Sequence, residues 1–363
     1  MTTGAAGSTL HAVLPNDIDD PARPSGGNHY DRKLLDGLAS HGWSVAEHPA
    51  QGDWPTPDAA ARGRLASLLT ALPDGALVLL DGLIASVVPE LLVPQADRLR
   101  LVVLVHLPLA GDSEATALRA ARAVVATSGF TRDWLLRLHP LAPEQVHVAR
   151  PGVDPAEPVV ASPTGSRLLC VAAVSRHKGH DVLLRALAGL DGLPWVCTCA
   201  GSLELDPHFV ESLRAAVAGA GLAARIYFTG ALSGTALAAA YAGADLLVLP
   251  SRGETYGMVL AEALARGIPV LVSDVGGVRE ALGTVSIETA PDGTLPGLLV
   301  PPDDPDALGA ALHEWLTDAQ FRVRLRIAAA ARRRTLEDWR ATAGQVAHVL
   351  RQCELQACGK EVA

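Results

Sequence analysis

One unit recurs along most of this chain: a short apolar run, a turn rich in Gly, Ser or Pro, and an Ala/Leu-rich stretch of helical character. It is clearest at Leu168–Ala172 followed by Asp181–Leu190, and at Trp195–Ala200 followed by Pro207–Ala218. Alternating strands and helices form parallel sheets with helices on both faces, because right-handed crossovers place each helix against the sheet. The pattern therefore predicts an α/β fold.

The pattern is interrupted once, around residues 151–165, where the composition changes to Pro, Ala, Val and Gly. A length of 363 residues exceeds one ordinary core and suits two domains. We expect two Rossmann-like domains, residues 1–157 and 158–335, whose parallel sheets face a central cleft. A charged helical tail, residues 336–363, is expected to pack back on the first domain, and Arg332–Arg334 are expected to lie on a solvated face.

Composition excludes several classes of protein. Apolar residues make up 49% and charged residues 19% of the chain, which is typical of globular proteins rather than disordered ones. The net charge is −9 and no long Lys/Arg run is present, so we expect no nucleic-acid partner. The longest apolar runs fall far short of the roughly 20 residues that cross a bilayer, so no transmembrane segment is predicted.

The five cysteines are odd in number and widely scattered, which argues against a disulfide framework and fits a reducing cytosol. Cys197 and Cys199 alternate on a predicted strand, and we interpret them as small core side chains rather than metal ligands. The first ten residues lack the basic and apolar regions of a signal peptide. A cytoplasmic location is therefore expected.

The most informative stretch is residues 250–263, PSRGETYGMVLAEA, which follows an apolar strand and passes through a loop into a helix. The free N–H groups at the start of that helix suit a phosphate or a row of hydroxyls. Glu254 lies before the helix and Glu262 within it, so a rise of about 1.5 Å per residue separates them by at most about 12 Å. Two such carboxylates can accept hydrogen bonds from both ends of a diphosphate-linked sugar nucleotide. The alternative is a capping glutamate and an unrelated surface glutamate.

Three weaker signals lie at predicted strand ends. Arg176 and Lys178 follow a strand, where two cations can neutralise a diphosphate, although a solvated loop explains them equally well. Gly26 and Gly27 precede the first helix, where Gly-rich loops meet phosphates, but turn geometry is an equal explanation. His106 follows a buried strand and could hydrogen-bond a sugar hydroxyl or serve only the structure.

Together these residues resemble those of the GT-B glycosyltransferases of family 4, the retaining glycosyltransferase group 1. The resemblance covers nearly the whole chain, and the two glutamates eight residues apart are its specific part. Further matches support it in both halves of the chain: Ala126–Ser128, Arg150–Asp154, Lys178–His180, Phe228–Gly230 and Gly297–Pro301.

The resemblance implies a role for each matched residue. Glu254 would hold hydroxyls of the donor sugar, Glu262 the ribose, and Arg176 and Lys178 the diphosphate. His106 would contact the donor sugar near its anomeric carbon, so His106 and Glu254 are the expected catalytic residues. The other expected donor-binding residues would form hydrogen bonds through their backbone groups or would let the ligand approach the backbone closely. They are Gly26, Gly27, Thr255, Tyr256, Gly257, Met258 and Val259.

The implied reaction is a hexosyltransferase-type transfer, with retention, from a nucleoside diphosphate sugar to a hydroxyl or similar group. No metal or other cofactor is expected, because Asp17 and Asp19 resemble a metal-binding DxD but lie in a Pro/Gly loop that we interpret as a solvated turn. A soluble small-molecule acceptor is expected, because the helix at residues 30–41 lacks the basic, apolar profile of membrane-associated relatives. Peripheral membrane contact is accordingly not favoured.

Other functions stay open at this point. A lipid-linked or polysaccharide acceptor is one. Another is a two-domain UDP-sugar epimerase, for which His106, His177 and His180 could act as acid or base. A third is a non-catalytic sugar-nucleotide-binding protein. The sequence also departs from the family, because the Arg usually found five residues before the Lys is replaced here by Ala173, and Arg176 is the candidate substitute.

Overall fold

The computed structural model describes residues 8–20, 25–283 and 295–358, with side chains through residue 355. The chain divides into two compact units. The first comprises residues up to 152 together with those from 337 onward, and the second comprises residues 153–336. The domain boundaries after residues 157 and 335 stay sequence-based predictions.

The first unit contains a parallel sheet of six strands in the order β2-β1-β3-β4-β5-β6. The strands are β1 Thr9–Pro15, β2 Ser44–Ala50, β3 Leu77–Asp81, β4 Arg100–Val105, β5 Ala123–Ala126 and β6 Val146–Val148. The helices are α1 Gly26–Ala39, α2 Ala59–Ala71, α3 Gly82–Ala85, α4 Pro89–Leu92, α5 Asp112–Ala120 and α6 Gly129–Leu138, with α14 Trp339–Cys358 returning from the end of the chain.

The second unit contains a parallel sheet of six strands in the order β12-β11-β10-β7-β8-β9. The strands are β7 Arg167–Val171, β8 Val196–Ala200, β9 Ile226–Gly230, β10 Leu246–Leu249, β11 Val270–Ser273 and β12 Gly297–Val300. The helices are α7 His180–Ala188, α8 Pro207–Gly219, α9 Gly234–Ala242, α10 Met258–Ala265, α11 Val278–Leu282, α12 Pro305–Thr317 and α13 Ala319–Arg333.

The strand order places one switch point in each sheet. In the first sheet the chain adds β2 on one side of β1 and then crosses to β3 on the other side. In the second sheet it adds β8 and β9 on one side of β7 and then crosses to β10. Loops from two adjacent strands diverge at such a point and leave a crevice at the carboxyl ends. The β1/β3 and β7/β10 crevices are therefore where this fold places ligand sites.

Local sequence explains where several helices begin. Ser25 Oγ accepts the backbone N–H of Asn28 at 3.0 Å and caps α1. Ser128 Oγ accepts the N–H of Thr131 at 2.9 Å and caps α6. Such caps satisfy N–H groups that the helix cannot pair. The first helix consequently begins at Gly26, so Gly26 and Gly27 lie inside its first turn rather than before it.

The α/β class and the doubly wound parallel sheets are confirmed, and the thiols of Cys197 and Cys199 are buried in the core of the second unit as expected. Strand β2 was not predicted, because its sequence SVAEHPA alternates with polar residues and it lies at the sheet edge. The expectation of solvated arginines at residues 332–334 was wrong for the two that end α13. The guanidinium of Arg333 donates to the carbonyls of Ala265 and Ala156, and that of Arg332 donates to the carbonyl of Ala281. None of the helices in the described ranges combines the length and apolar character that a membrane span requires.

Candidate active site

The loops that follow β7 and β10 meet at the switch point of the second sheet. The first contains Arg176–Lys178, a turn of 3₁₀ helix, and ends at Gly179, whose φ is 69°. A Cβ at Gly179 would overlap the carbonyl of Pro250, which ends the neighbouring strand, so only glycine permits this approach. The backbone N–H of Arg252 also donates to the carbonyl of His177 at 2.8 Å. The two loops are therefore joined through their backbones.

Lys178 and Glu254 form an ion pair between these loops. Lys178 Nζ lies 2.6 Å from Glu254 Oε1, and Ser251 Oγ donates to the same oxygen at 2.7 Å. The lysine side chain is 28% exposed and that of the glutamate 10%, so both reach the surface of the crevice while remaining partly desolvated. The sequence predicted the two residues separately, for the diphosphate and for the sugar. Their direct contact and the involvement of Ser251, which is fully buried, were not predicted.

Two glycines that were not predicted to belong to the site pack against the backbone of the loop that contains Glu254. Gly276 has a φ of 55°, and a Cβ there would overlap the carbonyl oxygen of Glu254. A Cβ at Gly277 would overlap the carbonyl of Thr255, and the N–H of Gly277 donates to the Glu254 carbonyl at 2.9 Å. In the sequence these residues are visible only as a Gly-Gly pair shortly after β11. Such a pair is typical of an ordinary turn and does not by itself predict a contact with Glu254.

Arg252, next to Glu254, binds carboxylates of the protein. Its guanidinium makes two bonds to Asp181, at 3.0 and 2.9 Å, and one to Asp303 at 2.6 Å, and it also donates to the carbonyl of Arg176. Burial alone would raise the pKa of Asp181, but the hydrogen bonds and charge of Arg252 outweigh it and lower that pKa. Arg252 therefore fixes the shape of the site by linking the β10 loop to α7 and to the residues before α12.

The side chain of Arg176 is more exposed and less tightly held than that of Lys178. Its side chain is 74% exposed, with the guanidinium 5.0 Å from the centre of the Phe209 ring and 3.9 Å from a carboxylate oxygen of Asp206. An exposed arginine held only by such weak contacts can turn towards a ligand at small cost. The structure places it beside the crevice, as the sequence predicts, and its role towards a diphosphate stays a prediction.

Glu262 occupies a different environment from Glu254. It lies in α10, and its Oε2 accepts the hydroxyl of Tyr241 at 2.8 Å. Burial raises the pKa of Glu262, and the hydrogen bond from Tyr241 and the charge of Arg266 only partly offset that rise. The guanidinium of Arg266 stacks on the Tyr241 ring at 4.5 Å. A buried carboxylate with one neutral donor retains acceptor capacity for ligand hydroxyls.

The other residues predicted for donor binding line the start of α10. Gly257, with a φ of 92°, precedes the helix, and among the described residues no side chain caps that helix. The ring of Tyr256 is buried in the core, so only its backbone can serve a ligand. Met258 and Val259 occupy the first turn, where unpaired N–H groups and the helix dipole favour an anion or hydroxyl oxygen. Thr255 lies between Glu254 and Tyr256 on the same loop.

In the first unit, Gly26, Gly27 and His106 lie near the β1/β3 switch point. A Cβ added to Gly27 would lie 3.2 Å from Cδ2 of His106, so this glycine leaves room for the imidazole. His106 Nε2 lies 2.7 Å from Oδ1 of Asp31 and 3.9 Å from Oδ2 of Asp81. Neither aspartate was predicted to contact His106, because Asp31 lies in α1 and Asp81 ends β3, and both are far from His106 along the chain. Within the described ranges these three residues are also the one group spaced to hold a metal ion.

Comparison with known proteins connects this geometry to a family. Residues 158–333 match the model of the family described as glycosyl transferases group 1. The chain is 31% identical to a D-inositol 3-phosphate glycosyltransferase of Jonesia denitrificans, over 67% of this chain and 60% of that protein. It is 34% identical to the 2-deoxystreptamine N-acetyl-D-glucosaminyltransferase of Streptomyces fradiae, over 61% and 53% respectively. The alignments thus span between about half and three fifths of these relatives' own length.

Solved structures extend the likeness to nearly the whole chain. Sucrose-phosphate synthase from Thermosynechococcus elongatus superposes with a TM-score of 0.78 at 24% identity, over 97% of this chain and all of that one. The Anabaena protein HepE, solved in complex with UDP-glucose, gives a TM-score of 0.70 at 20% identity over 94% and 99%. At these identities the likeness shows the fold alone, which is the GT-B fold. Residues 158–333 of the chain therefore form a domain of the glycosyl transferases group 1.

Proposed function

We propose that this protein transfers a glycosyl group from a nucleoside diphosphate sugar to a hydroxyl or similar group of an acceptor, with retention of anomeric configuration and without a metal ion. The observation that supports this most directly is the pairing of Lys178 and Glu254 at the β7/β10 switch point, with Glu262 in the helix that follows. The cation corresponds to a diphosphate, the carboxylate at the crevice surface to a sugar, and the carboxylate within the helix to a ribose.

The chemistry of each group follows from its charge. Lys178, assisted by Arg176, stabilises negative charge that grows on the departing diphosphate as the bond from the anomeric carbon to the phosphate oxygen breaks. Glu254 accepts hydrogen bonds from hydroxyls of the transferred sugar and fixes its orientation. The acceptor oxygen attacks the same face of the anomeric carbon, and its proton passes to the departing diphosphate oxygen. No protein nucleophile is required in this scheme.

The decisive test is the turnover of the Glu254→Gln variant. The amide keeps the size of the side chain but loses the charge that pairs with Lys178 and orients sugar hydroxyls, so we expect kcat to fall by about 100-fold or more. The matched control is Glu211→Gln, which makes the same chemical change at an exposed ion pair on α8. Wild-type turnover by Glu254→Gln would refute the assignment.

The donor can be identified before any acceptor is known. A panel of UDP-, GDP- and ADP-sugars, scored by the shift in melting temperature, should give one base with a clear stabilisation, because binding to the folded state alone raises stability by mass action. Absence of stabilisation by every sugar nucleotide at millimolar concentration would contradict the proposal.

For the acceptor we propose a small molecule. Two of the relatives named above act, by their names, on D-inositol 3-phosphate and on 2-deoxystreptamine. The second candidate is a lipid-linked saccharide, because a mannosyltransferase of lipopolysaccharide core biosynthesis from Rhizobium meliloti is 32% identical over 59% of each chain. Product formation with water-soluble cyclic polyols, compared with detergent-dispersed glycolipids, separates the two.

Retention and metal independence have separate tests. The coupling constant of the anomeric proton in the product, compared with that of the donor, reports configuration by NMR.

Turnover after exhaustive treatment with EDTA should equal that of the untreated protein. Loss with EDTA and recovery with Mg²⁺ would show that a metal takes part and would remove that element of the proposal.

A further inference from the structure

Three residues of the first unit form a buried polar group beneath the β1/β3 switch point. Asp31 comes from α1, Asp81 is the last residue of β3, and His106 follows β4. One ligand atom from each lies within 4.8 Å of the others. The aspartate side chains are 1% and 2% exposed and that of the histidine 17%. Among the described residues, neither aspartate has a lysine or arginine as an ion-pair partner.

Two carboxylates that share one imidazole as their only cationic partner within the described ranges cannot both remain ionised at such depth without a large cost. Asp81 Oδ1 already accepts the N–H of Leu83 at 2.6 Å, whereas Asp31 Oδ2 is buried and has no hydrogen-bond partner among the described residues. Burial, together with the charge of Asp31, raises the pKa of Asp81 to about 8. A hydrogen bond with Asp31 also contributes to this rise, so a proton held on Asp81 can supply the donor that Asp31 Oδ2 lacks.

The imidazole of His106 is oriented by the other oxygen of Asp31. At 2.7 Å from Asp31 Oδ1, Nε2 must carry a proton, because an ionised carboxylate only accepts. The ring is further held by Tyr30, whose ring packs edge-on at 5.1 Å and whose hydroxyl donates to the carbonyl of Ala149. Tyr30 stays neutral, because burial and the charge of Asp31 raise its pKa well above the ordinary value. Within the described residues no hydrogen bond involves Nδ1, the remaining polar atom of the ring.

We propose that Asp31 and Asp81 share one proton and act together as positioning residues for His106, so that Nε2 is committed to Asp31 and Nδ1 is the atom presented to a hydroxyl of the bound ligand. The identity of that ligand as the donor sugar rests on the proposed function. The orientation of His106 does not, because it follows from contacts within the first unit.

The same contacts favour a shared proton over a metal ion. The bonds from His106 Nε2 and from Leu83 N each occupy one oxygen of an aspartate. Two carboxylate oxygens then take part in neither bond, Oδ2 of Asp31 and Oδ2 of Asp81, which is fewer than the three or four protein ligands of a zinc site. Asparagine at position 81 has the shape of aspartate but no charge. It should therefore replace a protonated carboxyl, whereas it would weaken a metal site.

The first experiment titrates His106 by NMR in protein labelled with ¹⁵N in its histidine rings, with His106→Gln used to assign the resonance. Burial alone would lower the pKa of His106, but the charge of Asp31 and its hydrogen bond outweigh burial and raise that pKa. We expect Asp31→Asn to lower that pKa by about one unit or more. Asp36→Asn, the same change at an exposed position of α1, is the control and should leave it unchanged. An unchanged titration in folded Asp31→Asn would overturn the proposal.

The second experiment compares Asp81→Asn with Asp81→Ala at pH 7. Asparagine accepts from Leu83 through its oxygen and donates to Asp31 through its amide, so this variant should keep the ¹⁵N pattern of His106 and lose less of kcat than the alanine variant. Alanine removes the donor, and we expect kcat to fall about tenfold with little change in KM. Equal losses in both variants, together with inhibition by EDTA, would identify a metal site and refute the shared proton. The titration needs no substrate, so a protein that shows the expected NMR result without glycosyl transfer would disprove the proposed function alone.

Discussion

At the scale of single residues, Glu254 and Glu262 have surroundings that suit different parts of a ligand. Glu254 Oε1 is shared by Lys178 and Ser251 at the mouth of the crevice, where a ligand phosphate can compete for the lysine. Glu262 is buried against Tyr241 and accepts a single neutral donor. Glu254 therefore shares its partner Lys178 with any bound diphosphate, whereas the hydrogen-bond partner of Glu262 is the neutral hydroxyl of Tyr241.

This difference predicts that the two glutamates affect different binding steps. Glu262→Gln should weaken binding of the free nucleoside diphosphate by about 10- to 100-fold, because a charged acceptor for ribose hydroxyls is lost. Glu254→Gln should leave that affinity within about threefold and instead remove the gain in affinity that the attached sugar provides. Isothermal titration of each variant with the diphosphate and with its sugar ester measures both effects. Equal losses for both ligands in both variants would contradict the division of roles.

At the scale of elements, the loop between β10 and α10 is fixed from two sides. Arg252 ties it to α7 and to Asp303, while Gly276 and Gly277 after β11 lie directly against its backbone. The loop contains the residues predicted to contact the donor, so its position determines where Glu254 points. A small displacement of catalytic groups is expensive, because orientation contributes strongly to rate.

Gly276→Ala should accordingly impair activity through the loop. The added Cβ would overlap the Glu254 carbonyl, so the loop must shift, and we expect kcat/KM to fall by about tenfold or more. The control is Gly267→Ala, because Gly267 has a similarly positive φ of 69° but nothing within 4 Å of the added Cβ. Both variants share the cost of a left-handed alanine, and only the first disturbs the site. Similar kinetics for the two variants would show that the contact is unimportant.

Helices α1 and α14 pack closely where Gly37 meets Ala343. A Cβ at Gly37 would lie 2.7 Å from the Ala343 methyl group, closer than two carbons can approach. Gly→Ala in a helix ordinarily stabilises by about 1 kcal/mol, so a destabilised Gly37→Ala variant would reveal the contact. We expect Gly37→Ala to lower Tm and the exchange Gly37→Ala with Ala343→Gly to recover most of the loss. Thermal unfolding of the wild type and the two variants measures this, and a raised Tm for Gly37→Ala would contradict it.

Sequence alone predicted the elements whose pattern is local and strong. The strands β7 and β10 read as apolar runs between turns, and the Glu254–Glu262 spacing placed the site on the second unit. Strand β2 was missed, because an edge strand need not be apolar on both faces. The contacts of His106 with Asp31 and of Gly276 with Glu254 were also missed. They join residues that are distant along the chain, and only the register of the sheets brings them together.

At the scale of the whole molecule, the chain leaves the first unit near Gly152 and re-enters it at Glu337. A Cβ at Gly152 would overlap the backbone of Asp338 and Trp339, so the two connecting segments pass each other at this glycine. The hydroxyl of Thr342 also donates to the carbonyl of Arg150 at 2.8 Å. The first unit is therefore completed by residues from both ends of the described chain.

The buried Asp81 predicts how stability depends on pH. In the unfolded chain this carboxyl ionises near 3.8, whereas in the folded protein its pKa is about 8, so the folded state binds the extra proton between those values. The stabilisation is complete below pH 4 and is lost as pH rises to about 8. Relative to wild type, Asp81→Asn should gain up to about 1.4 kcal/mol per pH unit in this window. Melting temperatures at pH 5, 6, 7 and 8 measure it, and parallel curves would contradict it.

The return of α14 to the first unit also orders events on the ribosome. The described residues of the second unit all come from one stretch of the chain, so this unit can form as soon as residues 153–336 have left the exit tunnel. Helix α1 is made early but meets α14 only after residues 339–358 have also been made. Nascent chains commonly fold from the amino-terminal side. In this protein the first unit must wait, and the apolar face of α1 stays exposed until α14 arrives.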